Sequence, residues 1–351
     1  MFSDKIRSLP VREWPDADRA AWELACRPKK RLIRGGPASH LDEVTRDDYQ
    51  RRYGYFLDHL LRTGRFARTG APAALVTAET ITPFITELQG RVRSVTTAHT
   101  VHKVRRTAEL IAAEIDFGWL REIEKDLELV ARPMDKSNRV VLTQRLVEAG
   151  LALFRQAELS LALSPLQAAL LARNGLMMAL LALCPIRSAN FATLTIGDTF
   201  QKHRDTWWIV LRKTKSRRRD NRPLPTYLVP RVESYLANYR LQLLGGSDRF
   251  SALEARPTKK LWVSRHGRPL STAQVARTIR EMTLSTVGVA ITPHLFRSCA
   301  ATTAAMYAPR MPHLASAILD HVDPRTTESS YNCATSLAAG LLLTSIVHTL
   351  R

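Results

Sequence analysis

Residues 292–331 read TPHLFRSCAATTAAMYAPRMPHLASAILDHVDPRTTESSY. Thr292 followed by Pro293 predicts a helix start, with Thr at the N-cap and Pro at the first helical position. His294 and Arg297, three residues apart, then share one face of the first two turns. That face lies near the positive end of the helix dipole, where backbone N–H groups lack partners and an anion is welcome. Pro312 can open a second helix through Ile318 and Leu319, ending at Asp320–His321. Asp323–Pro324 opens a third, with Tyr331 about two turns into it. An Arg, two His and a Tyr are thereby gathered on the ends of short helices, the side chains needed to hold a phosphate and attack it.

The rest of the chain bounds that reading. Its 351 residues suffice for two domains, each with a core. Lys and Arg number 52 against 32 Asp and Glu, a net charge of +20. Such an excess points to a polyanion, nucleic acid first and an anionic membrane second, with a merely basic soluble enzyme as the plain alternative. The four cysteines, Cys26, Cys184, Cys299 and Cys333, form no C-x-x-C pair. This argues against a zinc site or disulfide framework and fits a reducing cytoplasm. Residues 1–20 show no apolar signal-peptide core, and the most apolar run, Gly175 to Ile186, is too short to span a bilayer. The expectation is a soluble, cytoplasmic protein with no membrane partner.

Taken in order, residues 1–40 read as an irregular basic arm, with Lys29, Lys30 and Arg31 as candidate DNA contacts. From Thr45 the apolar spacing turns helical: Tyr49, Tyr53, Phe56, Leu57, Leu60 and Leu61 recur at three- and four-residue steps. Further helices are predicted over Thr77–Leu88, Thr96–Ile115 and Trp119–Val130. The third of the four carries His99, His102, Lys103, Arg105 and Arg106; Lys103, Arg105 and Arg106 are candidate DNA contacts. His99 and His102 have metal-ligand spacing, but no acid or Cys stands near them in sequence, so they read as surface or phosphate-contact residues. Residues 41–135 thus form a helical domain. Arg132–Asn138, polar and broken by Pro133, is the best linker, and residues 136–351 form the second domain.

In that second domain Val141–Leu153 and Ser164–Cys184 read as core helices. The latter runs into CPIRSAN (184–190), where Arg187 follows a Pro and an apolar run. That is an odd place for a guanidinium unless an anion, a carboxylate or the helix-end carbonyls meet it. Thr206–Leu211 and Arg222–Val229 read as strands flanking the loop RKTKSRRRDN (212–221). So basic a tip repels itself unless it meets a polyanion, making Lys215, Arg217, Arg218 and Arg219 candidate DNA contacts. Pro230–Leu244 is predicted helical, Leu261–Ser264 a short strand, Ser271–Leu284 a helix, and Leu337–Leu350 an apolar tail helix.

These residues carry a resemblance. His294-Leu295-Phe296-Arg297 resembles the H-x-x-R box of the tyrosine recombinases, the phage-type integrase family. Leu319-Asp320-His321 is similar to its L-G-H, and Asp323 to Thr327 with Tyr331 to the nucleophile segment. Cys184 to Leu194 stands where the family has its first catalytic Arg, with Asn190 for the usual Glu. Asp320 replaces Gly, Tyr331 falls ten residues after His321 where many members have nine, and Ser298 stands where one branch has a second His. The order Arg187, Lys-bearing hairpin, H-x-x-R, L-x-H and Tyr is a far more specific signal than any one motif.

The resemblance implies a mainly α fold with a small β-sheet: a helical core-binding domain that clamps DNA, followed by an α+β catalytic domain. It implies a site-specific recombinase or integrase of a mobile genetic element, forming a 3′-phosphotyrosyl intermediate with no cofactor, metal or ATP. Arg187 and Arg297 would hold the non-bridging oxygens with forked, permanently protonated donors. His294 and His321 would donate to the same oxygens, or His294 would accept the tyrosine proton. Lys213, with Lys215 second, would protonate the leaving 5′ oxygen. Tyr331, a phenol that titrates near pH ~10 when free, would attack. The partners implied are double-stranded DNA and further copies of the chain, a tetramer on paired sites joined through the tail helix, with accessory DNA-bending proteins possible. Two alternatives share these features: a DNA-binding accessory or regulatory protein without cleavage, which Asp320 beside His321 favours, and a type IB topoisomerase.

Overall fold

The computed structural model describes residues 7–29, 31, 34–132, 137–212, 219–245, 258–308, 311 and 318–319. The expectations at Lys30, Lys213, Lys215, Arg217, Arg218, His321 and Tyr331, and those for the helices at Asp323 and Leu337, lie outside them. The chain divides into two compact units, Met1–Asp135 and Lys136–Arg351.

The first unit is helical: α1 (Asp16–Ala25), α2 (Glu43–Arg62), α3 (Ala78–Arg91), α4 (Ser94–Ile111) and α5 (Gly118–Leu129). Residues 7–26 are not an irregular arm. Asp16 and Asp18 sit in the first turn of α1, where the helix dipole favours anions. Trp14 and Trp22 are buried with Tyr53 and Phe56, and the Trp14 ring meets Tyr53 at 4.9 Å and Trp22 at 6.0 Å. Asp18 is buried too, accepting from Tyr53 Oη and the Ala73 amide, each at 2.7 Å. Its hydrogen bonds tie α1 to α2 and to the loop at Ala73, which holds a positive φ of 57°.

The second unit opens with α6 (Thr143–Leu159) and α7 (Pro165–Leu183). By length and hydropathy α7 would pass for a membrane span, yet most of it is buried here in the unit's core. The two helices cross at glycines. A Cβ on Gly150 would stand 2.7 Å from the Gly175 oxygen, and one on Gly175 would stand 2.5 Å from the Gly150 oxygen. The short α8 (Ser188–Ala192) follows, then an antiparallel sheet ordered β1 (Phe200–His203), β2 (Thr206–Leu211) and β3 (Asp220–Pro223). In its register Leu211 faces Asp220 and Trp208 faces Pro223.

The strand expected over Arg222–Val229 therefore starts earlier and stops at Pro223. Pro223 and Pro225 cannot donate to a ladder, and Pro230 sits in the first turn of the next helix. That helical run comprises α9 (Val229–Ser234), a wider turn over Tyr235–Tyr239 and α10 (Arg240–Gly245). Leu261–Ser264 forms no strand; single bridges join Thr195 to Lys260 and Val263 to Pro269. The described part closes with α11 (Thr272–Val287), which ends on Gly288 at φ 76°, and α12 (Pro293–Tyr307).

Candidate active site

α12 begins where the Thr-Pro pair places it, with Thr292 at the N-cap and Pro293 in the first turn. Most of the helix is buried, Leu295, Phe296, Cys299 and Ala301 forming its inner side. His294, on the first turn, is exposed; Arg297, one turn on, is only 5% exposed. The Arg297 guanidinium lies between two other parts of the chain. Nη1 donates to the Pro185 carbonyl at 2.6 Å, and Nη2 donates to the Leu319 carbonyl. Pro185 belongs to the segment carrying Arg187, and Leu319 immediately precedes Asp320–His321. One side chain thus draws together three sequence motifs that are far apart in the chain. Leu319 is itself buried, with Ala301 of α12.

Arg187 is held by its own main chain. The Ile186 amide closes on the Cys184 carbonyl at 2.7 Å, a tight turn around Pro185, and the Arg187 carbonyl accepts from Phe191 at the head of α8. Trp262 Nε1 donates to the Phe191 carbonyl at 3.0 Å and fixes α8 from behind. The Arg187 side chain is half-buried. The entry to α12 is braced as well: Arg139 Nη2 donates to Ala290, the Val141 amide to Cys299 Sγ, and the Thr143 amide to Thr303 Oγ1.

The base of the basic hairpin carries a pair that the sequence reading passed over. Arg222 Nε and Nη2 each donate to Asp220 at 2.8 Å. Residues two apart on a strand share a face, so the D-x-R spacing was the available signal. Burial pushes the Cys184 thiol up to about 11, with Arg222 opposing, which places this pair beside the segment leading to Arg187. Arg219, at the end of the tip, is exposed.

Among the proposed DNA contacts of the first unit, Lys29 and Arg31 are exposed. Lys103 lies over the Tyr49 ring, 4.2 Å from its centroid, and Arg106 pairs with Glu109. Arg105 requires a correction. It is 5% exposed and donates to Glu124 at 2.6 Å and Glu109 at 2.5 Å, so it braces α4 against α5 instead of reaching outward. The histidines also have acids that sequence proximity did not reveal: His102 meets Glu124 at 2.5 Å and His99 meets Asp48 at 3.4 Å. Burial first, then the neighbouring Lys103 and Arg52, hold the His99 pKa down against Asp48. Among the described residues no three His, Cys, Asp or Glu side chains cluster as metal ligands would.

A helical unit followed by a mainly helical unit with a three-stranded sheet, its H-x-x-R helix tied to an upstream Arg segment, defines a class: the tyrosine recombinase fold. The sequence profile of the phage integrase family matches residues 154–336, more than half of the chain. The chain belongs to that family. No curated protein matches it. Among solved structures it is similar to XerH site-specific recombinase bound to palindromic difH substrate in a post-cleavage complex. That likeness has a TM-score of 0.57 and 13% identity over 95% of this chain and 98% of that one. The pre-cleavage XerH complex gives 0.54 at 14% identity, covering 95% and 99%. A lambda integrase dimer bound to a core site gives 0.50 at 13%, covering 84% and 90%. At such identities the likeness is one of fold.

Proposed function

We propose that this chain is a site-specific DNA strand-exchange enzyme using Tyr331 as nucleophile. The observation that supports the reading is the Arg297 guanidinium, bonded to the carbonyls of Pro185 and Leu319. It ties the main chain at Pro185 and at Leu319 to the helix that carries His294, which supports a phosphate site shared by Arg187, His294 and Arg297. Attack by the Tyr331 phenolate on phosphorus forms the P–O(Tyr) bond and breaks the bond to the 5′ oxygen, which takes a proton from Lys213 or Lys215. The phenol proton leaves to His294 or water. Arg187 and Arg297 offset the charge that grows on the non-bridging oxygens. Reversal by a second 5′-hydroxyl restores a phosphodiester, and the conserved bond energy makes ATP unnecessary. The basic hairpin tip, Lys29–Arg31, Lys103 and Arg106 supply phosphate contacts on duplex DNA. Paired sites would require further copies of the chain, with the tail helix as the linking element.

A nicked suicide duplex built from the DNA flanking the gene tests this. Wild type should give a covalent protein–DNA adduct, and Tyr331→Phe should abolish the adduct while binding persists. Binding with no adduct in wild type would favour the non-cleaving accessory reading, for which Asp320 in place of Gly speaks. Relaxation of any supercoiled plasmid without strand exchange would favour the topoisomerase.

A further inference from the structure

Two arginines buried to almost the same degree are treated differently by this fold. Arg105, 5% exposed, meets two carboxylates. Arg173, in the middle of α7 and 6% exposed, meets only neutral acceptors. Its Nη1 donates to the Val263 carbonyl at 2.7 Å, and its Nε and Nη2 to Asn174 Oδ1 at 3.1 and 2.8 Å. Burial accordingly pulls the Arg173 pKa below its ordinary value, and no described carboxylate contributes to it. A buried cation without a counter-charge is costly. Arg240, also buried, is satisfied by the carbonyls of Thr258 and Lys260. What distinguishes Arg173 is that it lines a cavity.

That cavity, of about 270 Å³, lies between α7, the turn at Ser264–Leu270 and the first turns of α11. Arg265 and Arg277 stand at it, both exposed, with Ser264, Gln274 and Thr278 as polar neighbours, and no Asp or Glu lines it. Neither Arg265 nor Arg277 forms an ion pair with a described residue. Three arginines line one hollow, and their like charges oppose one another unless an anion offsets them. The volume falls below the roughly 300–1,000 Å³ typical of drug-sized ligands and suits a phosphate group with its first waters. Arg173 is also separate from the Arg187 segment, with about 15 Å of helix between it and the end of α7.

We propose that this cavity is a second phosphate-binding site, and that it takes a backbone phosphate of duplex DNA. The net charge of +20 favours that source over a free polyphosphate, which has the same chemistry. The choice of DNA rests on the strand-exchange reading, but the site needs none of the tyrosine chemistry. A missing Tyr331 adduct would end that reading and leave this one standing.

The test uses the full chain and two double variants: Arg265→Ala/Arg277→Ala at the cavity and Arg145→Ala/Arg155→Ala, which removes the same charge from the exposed side of α6. Affinity for a short duplex of arbitrary sequence is measured against salt. Losing one phosphate contact should lower the slope of log K against log salt by about 0.9 in the cavity variant alone. In parallel, the shift of Tm by tripolyphosphate is measured. An unchanged slope, with a tripolyphosphate shift present in wild type and absent from the cavity variant, would keep the site and make a free anion its ligand. An unchanged slope with no such difference would overturn the proposal, as would equal slope losses in both variants.

Discussion

Asp18 and Arg297 show how single side chains set separate properties of this chain. Burial raises the Asp18 pKa, against the pull of its hydrogen bonds from Tyr53 and Ala73. A carboxyl whose folded value is raised favours the fold fully below its unfolded pKa, and that contribution is lost as pH rises through the folded value. Asp18→Asn can keep both contacts, its oxygen accepting from Ala73 and its amide donating to Tyr53. Its Tm should therefore match or exceed wild type near pH 7, with the advantage gone in acid; a pH series of thermal melts checks this. At Arg297 the expected outcome has two parts. Arg297→Lys keeps the charge but loses the planar fork between the two carbonyls. Adduct formation should slow by about 10²–10³-fold, the scale of losing one transition-state donor. Stability should fall by about 1–3 kcal/mol from a carbonyl left unpaired. H-x-x-R marked Arg297 only as a candidate phosphate ligand; its two carbonyl partners, 112 and 22 residues away, could not be read from the sequence.

At the scale of elements, the crossing of α6 and α7 is tightly constrained. Gly150 and Gly175 let two backbones touch where any Cβ would come under 3.0 Å from main-chain atoms. Gly175→Ala should destabilise by about 1–3 kcal/mol, the ordinary cost of overpacking, visible as a lower midpoint in urea with an unchanged slope. The sequence announced these helices clearly, as it did α11 and α12, because apolar spacing and Ser-x-x-Gln or Thr-Pro starts act locally. It was least legible where long-range pairing or proline decides. β3 is short because of Pro223 and Pro225, and the pairing of Val263 with Pro269 is a single bridge. α1 is hard to read for a different reason: a basic run follows it, and its only helix-start signals are Pro15 and the two Asp residues.

Among the described residues each unit has its own main core, led by Trp14, Trp22, Tyr53 and Phe56 in the first and by Leu176, Trp262 and Phe296 in the second. Because each is a separate cluster, residues 1–135 alone should unfold cooperatively by heat, as followed by circular dichroism. Glu87, Glu109 and Glu124 should set the acid limit of that fragment. Burial raises each carboxyl, but hydrogen bonds from His59 at Glu87, and from Arg105 first at Glu109 and Glu124, outweigh it and hold all three below the ordinary range. Such groups stabilise above their unfolded pKa and lose that contribution as pH falls. Its Tm should drop below about pH 5, and a flat acid profile would contradict these pairings.

The placement of Trp14 and Trp22 also governs where this gene can be cut for expression. A clone begun at residue 41, where the sequence reading starts the helical domain, would strip away both indoles and the partner of the Tyr53 hydroxyl, leaving an oily trough on the remaining helices. Such a product should be recovered from inclusion bodies, whereas one that keeps residues 7–40 retains that packing.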